Sequence, residues 1–440
     1  MLEIKRSVMR FLAVMGLLLT SMCDPALAGT MLTLHDCIEN ALANHPDIRA
    51  AQESLNAGQG RVTQAASPYL PQVTASTGYS DSHALGGAFG ETITKTYTTT
   101  LSVNQVLYDF GKTGNALDAA RFGTQSAEKD IDRVVQEVVL NVKQAYYALL
   151  QAKKLVNVAQ QSLMQTESHL KQAEAFFRAG SKPRYDVTRA EVDVNSAKLG
   201  LIHAENTVRL NTISLYNAMG LDPIRDVEIE DVLSQPTALP SLDEAQAAAL
   251  KNRPEMQKAE FDIQQAQSHI KSEQSNYLPT LSANGAYNWT HGNVQAGSFE
   301  GIPLVGEIQD SWNAGVMLSM PLFEGGLTNG RVSEARANKH SIEAQRDKLR
   351  QSILLEVNQA YADLESAAAR IAVMDSSLKS AQESLELAEG RYREGVGPSI
   401  EVTDARVADV KAETDYVQAL YDYQLAAAKL AKAMGKGLER

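Results

Sequence analysis

Two acidic side chains near the end of the chain could concentrate negative charge at one place. Glu401 and Asp404 follow the turn-like segment Val396-Gly397-Pro398-Ser399 and are three residues apart. Two side chains at that spacing lie on one face of a helix. A purely structural role also fits the pair, because carboxylates in a first turn interact favourably with the helix dipole. Asp186 follows a second turn, Gly180-Ser181-Lys182-Pro183, where it could instead be the N-terminal cap of the next helix.

Residue types that carry catalytic or metal chemistry are not grouped in this sequence. The eight histidines are scattered and lack the spacing typical of metal ligands. No glycine motif that cradles phosphate is present, and the pair Gly86-Gly87 lies in a loop between predicted strands. The sequence therefore predicts no enzymatic activity, no metal and no cofactor.

Long helices must position the acidic residues. Apolar or small residues recur at alternating intervals of four and three over residues 131–177, without a Pro or Gly. This period of 3.5 residues is typical of helices that supercoil around one another. We predict a helix over Asn115–Phe177, roughly 95 Å long at 1.5 Å per residue. A turn at Arg178–Pro183 and a return helix to Gly220 follow, with Asn211 as the exception on the return seam.

The chain contains this arrangement twice. Residues 29–220 form a first unit, residues 221–240 a Pro-containing linker, residues 241–435 a second unit and residues 436–440 a short tail. Corresponding motifs are offset by 208 residues and, after a seven-residue length difference, by 215. The motifs are Tyr69-Leu70-Pro71 with Tyr277-Leu278-Pro279, Gln144-Ala145-Tyr146 with Gln359-Ala360-Tyr361, and Ala218-Met219-Gly220 with Ala433-Met434-Gly435. The heptad pattern also returns, from Ile353 to Tyr392.

Each unit also predicts a pair of strands between short helices and the long hairpin. The short helices of the first unit are expected over Leu32–Asn44 and Asp47–Ala66. Apolar and polar residues then alternate with a period of two, which marks strands. The four alternating segments lie around residues 72–80, 97–104, 281–289 and 312–320. A soluble antiparallel sheet explains one such segment, whereas four in an exported chain favour membrane β-strands.

The N-terminus predicts export. Lys5, Arg6 and Arg10 precede an apolar stretch, and Ala26-Leu27-Ala28 offers a cleavage site, so residues 1–28 are expected to be a secretory signal peptide. Met22 is too large for the processing that lipidates a cysteine such as Cys23, so lipidation is not expected.

The exported part is acidic and contains one cysteine. Its net charge is −13, because the signal peptide carries +1 of the total of −12. This charge argues against a nucleic-acid partner. Cys37 lies on an apolar helix face and is expected to be a small buried residue rather than a reactive thiol. No run of 18 apolar residues follows residue 28, so no helical membrane span is expected, while a β-barrel stays possible.

Four membrane strands cannot form a closed structure alone. Open sheet edges are not tolerated in lipid, and bacterial barrels begin at about eight strands. We therefore expect the chain to oligomerise. The long helices could then form a solid bundle, or helices from several chains could line a hollow tube.

These motifs resemble those of the TolC family of outer-membrane efflux and secretion ducts. The resemblance rests on the duplicated unit and on Tyr-Leu-Pro before each strand pair. It also rests on the segment that follows each strand pair and on the segments that form the two tips. Those segments are Leu107-Tyr108-Asp109-Phe110-Gly111, Leu322-Phe323-Glu324-Gly325-Gly326, Arg178-Ala179-Gly180 and Arg393-Glu394-Gly395. Essentially the whole mature chain takes part.

The resemblance implies an α+β membrane protein. Long antiparallel helical hairpins would form a periplasmic α-barrel, and four strands per chain would contribute to a trimeric twelve-stranded β-barrel in the outer-membrane lipid. Such a homotrimer would be the passive exit duct of a tripartite export system, for type I protein secretion or multidrug efflux. Its partners would be a periplasmic adaptor, which opens the tips, and an inner-membrane pump of the ABC or RND type. The short segment after Gly435 slightly favours the type I secretion subgroup. A structural coiled-coil or adhesin-like envelope protein without a channel is the alternative.

The resemblance also implies roles for residues at the tips. Glu401, Asp404 and Asp186 would belong to the constriction of the tunnel. The adaptor would dock on residues of both turns, namely Arg178, Gly180, Ser181, Arg393, Gly395, Gly397 and Ser399. The chain departs from the family pattern at Gly397, where the best-studied gate of the family uses a basic residue. Arg184 or Arg393 could supply that positive charge, or the gate bond could be missing.

Overall fold

The structure is a computed structural model, and it describes residues 31–84, 92–222, 228–231, 240–299, 302–307 and 310–436. The predicted signal peptide, the loop with Gly86-Gly87, most of the linker and the last four residues lie outside these ranges. Helices and strands follow one another in the order expected from the repeated motifs.

The order of elements is the same in both halves. The first half contains α1 (Leu34–Asn44), α2 (Pro46–Ala66), β1 (Gln72–Ala84), β2 (Thr92–Tyr108), α3 (Lys112–Arg178) and α4 (Arg184–Met219). The second half contains α5 (Leu242–Asn252), α6 (Pro254–Gln274), β3 (Thr280–Phe299), β4 (Ile302–Glu307), β5 (Ser311–Ser319), α7 (Leu327–Arg393) and α8 (Ser399–Ala433). Short 3₁₀ turns at Ser67–Tyr69 and Ser275–Tyr277 lead into the strands.

The predicted four-stranded antiparallel arrangement is confirmed. β1 pairs with β2 and β2 with β3, and both β4 and β5 pair with β3, so they are two parts of the fourth strand. Apolar residues of the expected face, such as Val73, Tyr79 and Trp312, are exposed. In the described residues, β1 and β5 each have a strand partner on one side only. The sheet therefore has two open edges and an apolar surface.

The first long helix begins three residues earlier than the periodicity predicted, at Lys112 rather than Asn115. The cause is Asp109, whose carboxylate accepts hydrogen bonds from the backbone N–H of Gly111 at 3.2 Å and of Thr113 at 2.8 Å. The side chain thus satisfies donors that a helix start leaves without partners. The short helix α2 likewise begins at Pro46, since proline fits a first helical turn.

The heptad seams form the core of the hairpins. α3 packs against α4, α7 packs against α8, and α3 also packs against α8, so the long helices lie in the order α4, α3, α8, α7. Every heptad residue predicted between Ile353 and Tyr392 is buried or partly buried. Asn211 stays on the seam because its Nδ2 donates to the carbonyl oxygen of Ala148 on α3 at 3.0 Å.

The buried core continues to the junction with the small helices. Cys37 on α1 is fully buried among residues of α3 and α4, including Val142, Tyr146 and Leu215. Burial raises the pKa of its thiol to about 12, so the thiolate that would react is not formed near neutral pH. The expectation of a small buried residue is thus confirmed.

We expect Leu149→Ala to destabilise the helical hairpin by about 2–5 kcal/mol, because the side chain is fully buried and its loss leaves a cavity. The measurement is thermal or denaturant unfolding of the purified protein, followed by circular dichroism at the helical band. Met164→Ala on the same helix is the control, since Met164 is 62% exposed. Equal unfolding of the two variants would contradict this assignment of the core.

Candidate functional site at the helical tips

Both hairpins end in the same backbone geometry. Gly180 and Gly395 have φ values of +71° and +80°, as left-handed helix caps do. At the first tip, the N–H of Gly180 donates to Phe177 O at 2.9 Å and that of Ser181 to Phe176 O at 3.0 Å. At the second tip, Gly395 and Val396 donate to Tyr392 O and Arg391 O, at 3.1 and 3.0 Å. This is the Schellman motif, in which a glycine closes the helix and satisfies its last carbonyls.

The predicted docking residues differ in exposure. Arg178 and Arg393 are the last residues of α3 and α7, and both are exposed, as are Gly180, Ser181 and Gly395. Ser399 begins α8 but is buried, with its Oγ 3.2 Å from Nε2 of His169. Gly397 is also buried. The exposed part of the predicted docking set is therefore the outer surface of the two turns.

The interpretation of Asp186 as a helix cap is wrong. Pro183 occupies the N-cap position of α4, and within the described ranges this helix start has no side-chain capping hydrogen bond. Asp186 lies in the first turn, is buried, and faces the other hairpin beside Tyr392. Burial and the neighbouring Asp186 carboxylate raise the pKa of Tyr392 to about 12, so its phenol stays neutral at physiological pH. Asp186 therefore belongs to the contact between the hairpins.

Glu401 and Asp404 lie in the first turns of α8. Glu401 is partly exposed, and its Oε2 is 3.4 Å from Nε of Arg391 near the end of α7. Asp404 is exposed. The partner of Glu401 is thus Arg391 rather than Arg184 or Arg393. No pattern in the sequence indicated this choice, because it depends on how the turn brings α7 beside α8.

A cluster that sequence reasoning did not identify lies just inside the tips. Tyr392 is fully buried, and its ring centroid lies 4.9 Å from that of His169 and 5.6 Å from that of Phe176. Burial and the positive charge of Arg406 lower the pKa of His169, so the imidazole is neutral near pH 7. These residues come from α3, α7 and α8, and they join the two hairpins of one protomer.

Charged contacts extend this cluster along α8. Thr403 Oγ1 donates to Asp193 Oδ2 on α4 at 2.8 Å, and the guanidinium of Arg406 lies 2.7 Å from Oε1 of Glu389 on α7. Asp409, one turn further along, is buried, and its Oδ1 has no hydrogen-bond partner among the described residues. α8 therefore contacts α4 of the first hairpin and α7 of its own hairpin through polar groups.

We expect Asp409→Asn to stabilise the helical region at neutral pH. Burial, together with the negative charge of Glu389, raises the pKa of the Asp409 carboxyl, although Arg406 opposes the shift. Ionisation therefore favours the unfolded chain, and stability falls as pH rises from about 4, the ordinary aspartate value, through the raised pKa. The Asn variant should unfold at a higher temperature than wild type at pH 7, and the difference should disappear below about pH 3.

The control for this experiment is Asp363→Asn on α7, because Asp363 is exposed. That substitution should leave the unfolding temperature nearly unchanged at both pH values. An Asp409→Asn variant that is less stable at pH 7 than at low pH, relative to wild type, would contradict the expected sign.

The described residues provide neither a metal site nor a helical membrane anchor. No group of three or more His, Cys, Asp or Glu side chains is placed to hold a metal ion in the part of the chain that the structure describes. Among the helices of the described ranges, none combines the length and the apolar character that crossing a membrane requires.

Comparison with known proteins identifies the family. The family model described as "Outer membrane efflux protein" matches residues 37–221 and 246–436, which together are most of the chain. The chain is 26% identical to Protein CyaE of Bordetella pertussis over 404 residues, with 91% of this chain and 81% of that protein covered. It is 21% identical to Outer membrane protein TolC of Escherichia coli, with 90% and 81% covered.

A solved structure has the same fold. The outer membrane protein VceC of Vibrio cholerae superposes with a TM-score of 0.76 at 20% identity, and 92% of this chain and 97% of that chain are covered. The two family matches correspond to the two halves that carry the strands and the long hairpins. The protein thus resides in the outer membrane and extends into the periplasm, and it belongs to the outer membrane efflux protein family of TolC-like exit ducts for efflux or secretion.

Proposed function

We propose that three copies of this chain assemble into one continuous duct, which is a passive conduit opened at its periplasmic tips by an adaptor. The observation that carries the proposal is the open sheet: β1 and β5 each lack a second strand partner in the described residues. Unpaired backbone groups are not tolerated in lipid, so these edges must pair with another chain. Three copies of a four-stranded sheet would make a barrel of twelve strands, within the range of bacterial barrels.

The outer faces of the helices support the same assembly. Tyr185, Val192 and Leu199 on α4 are each more than half exposed and are spaced by seven residues. Leu355, Val373 and Leu387 on α7 are also more than half exposed. Because α4 and α7 are the outermost long helices of the protomer, these residues form apolar seams at its two sides. We propose that α4 of one protomer packs against α7 of the next, which would close the ring of helices.

The tips are the proposed adaptor-docking end. They lie at the opposite ends of α3 and α7 from the strands, about 100 Å away at 1.5 Å per residue. Their exposed turn residues would contact the adaptor, which in turn would connect the duct to an inner-membrane pump of the ABC or RND type. We further propose that Glu401, Asp404 and Asp186 surround the constriction. The duct of a type I secretion system is the favoured subgroup, and multidrug efflux uses the same architecture.

The test combines particle shape with channel activity. Detergent-solubilised protein should have the mass of a trimer and the shape of an elongated particle by native mass spectrometry and electron microscopy. The same preparation should conduct ions in planar bilayers. A compact monomer would contradict the assembly, and a non-conducting elongated particle would favour a structural coiled-coil or adhesin-like protein. Affinity capture with cross-linking at the tips would then identify the adaptor.

A further inference from the structure

Lys182 connects the two tips of one protomer. It lies in the turn between α3 and α4, and its Nζ donates a hydrogen bond to the carbonyl oxygen of Gly397 at 3.0 Å. Gly397 belongs to the other turn, between α7 and α8. The same ammonium lies 5.2 Å from the ring centroid of Tyr392, within the range of a cation–π interaction. One side chain of the first hairpin thus contacts two groups of the second.

The two groups that Lys182 contacts, the Gly397 carbonyl and the Tyr392 ring, are held in place by other contacts. Tyr392 is fully buried and packs against His169 and Phe176, as described above. The N–H of Gly397 donates to Arg391 O at 3.0 Å, which ties this residue to the end of α7. The ammonium therefore meets a preorganised site, and little freedom is lost from the second hairpin when the contact forms.

The positive charge cannot easily come from position 397 itself. A Cβ on Gly397 would lie 3.1 Å from Cβ of Arg391 and 3.3 Å from the backbone N of Tyr392. These approaches are closer than side chains ordinarily make, so the turn would have to shift to accept a longer residue. In this structure the cation at the Gly397 carbonyl comes instead from the opposite turn, as Lys182.

We propose that Lys182 is the positioning residue that holds the two tips of a protomer together, so that loss of its ammonium favours separated tips and an open duct. This inference rests on the proposed gating function of the tips. The contact of His169 with Ser399, which also joins the two hairpins, is buried. Lys182 is partly exposed and lies in the turn itself. A docking partner that presents a carboxylate could therefore compete with the Gly397 carbonyl for this ammonium.

The experiment compares Lys182→Met with Lys182→Arg in the full-length protein. Methionine keeps the length of the side chain without charge or donor, whereas arginine keeps both and can stack on an aromatic ring. Spin labels at Ala175→Cys and Glu394→Cys, both exposed positions, report the distance between the tips, with the buried Cys37 replaced by alanine. The Met variant should give longer and broader distances and raise the ratio of open to closed channels about tenfold, while the Arg variant should resemble wild type.

Two controls make the result specific. Lys171→Met removes an exposed lysine from α3 and should change neither the tip distances nor the conductance. Tyr392→Phe keeps the ring that Lys182 contacts, so Lys182→Met should still separate the tips in that background. Unchanged tip distances in Lys182→Met, or an equal change in Lys171→Met, would overturn the proposal. The tip distances are measured without adaptor or pump, so they test Lys182 even if the assignment of the docking end fails.

Discussion

Replacing Gly395 with valine is expected to abolish export while the protein remains assembled in the outer membrane. Gly395 has a φ of +80°, a conformation in which a β-branched residue is strained. A Cβ at this position would meet no atom within 4 Å, so the effect comes from the backbone and not from a steric clash. The cost is of the order of 1–3 kcal/mol, comparable with the net stabilisation that the few hydrogen bonds of this turn provide.

The matched control is Gly390→Val, five residues earlier on α7. A Cβ on Gly390 also meets no atom within 4 Å, and this residue is helical. Valine there should leave export intact, because it strains no backbone angle. The measurements are the exported amount of a cargo and the level of assembled protein in outer-membrane fractions. Normal export by Gly395→Val would mean that this turn is not the docking end.

The second large effect is expected from removing the acidic pair, with Glu401→Gln combined with Asp404→Asn. If three copies surround a constriction, six carboxylates would meet there, and rings of acidic side chains favour cations in other channels. The double variant should lose most of its cation preference and its block by multivalent cations in planar-bilayer recordings. The trimer should persist, since Asp404 is exposed and Glu401 is only partly buried.

The ion pair of Glu401 with Arg391 provides a second variant, for which the opposite change in selectivity is expected. Arg391 offsets part of the negative charge, so Arg391→Gln should increase cation preference, the opposite direction. Glu383→Gln with Glu386→Gln is the control, since these two acids on α7 have the same spacing and are exposed. Unchanged block and selectivity in the Glu401 and Asp404 variant would place both carboxylates outside the conducting path.

The elements of this fold could be predicted because their signals are local. The heptad from Ile353 to Tyr392 corresponds to one buried seam, and the period-two segments correspond to the observed strands. Asn211 was the exception in the pattern, and its hydrogen bond to Ala148 across the seam explains why a polar residue fits there. The glycines at the tips were also predictable, since a long helix that ends at Gly commonly adopts a left-handed cap.

The contacts between the hairpins could not be predicted in the same way. Lys182 meets Gly397 across 215 residues of sequence, and His169 meets Ser399 across 230. These pairs depend on how far one hairpin is shifted along its long axis relative to the other. No local sequence pattern specifies that shift. Asp186 shows the same limit, because its position suits a first turn, whereas its neighbour Tyr392 lies on the other hairpin.

α3 and α7 have the same length, 67 residues each, so the two hairpins extend equally far from the sheet. Because both start beside the sheet, their tips end at the same level. Deleting seven residues from each helix of both hairpins would keep each heptad seam in phase and shorten the reach toward the inner membrane by about 10 Å. Deleting seven residues from both helices of one hairpin alone would leave its tip about 10 Å short of the other tip. The two tips could then no longer contact a flat partner at the same time.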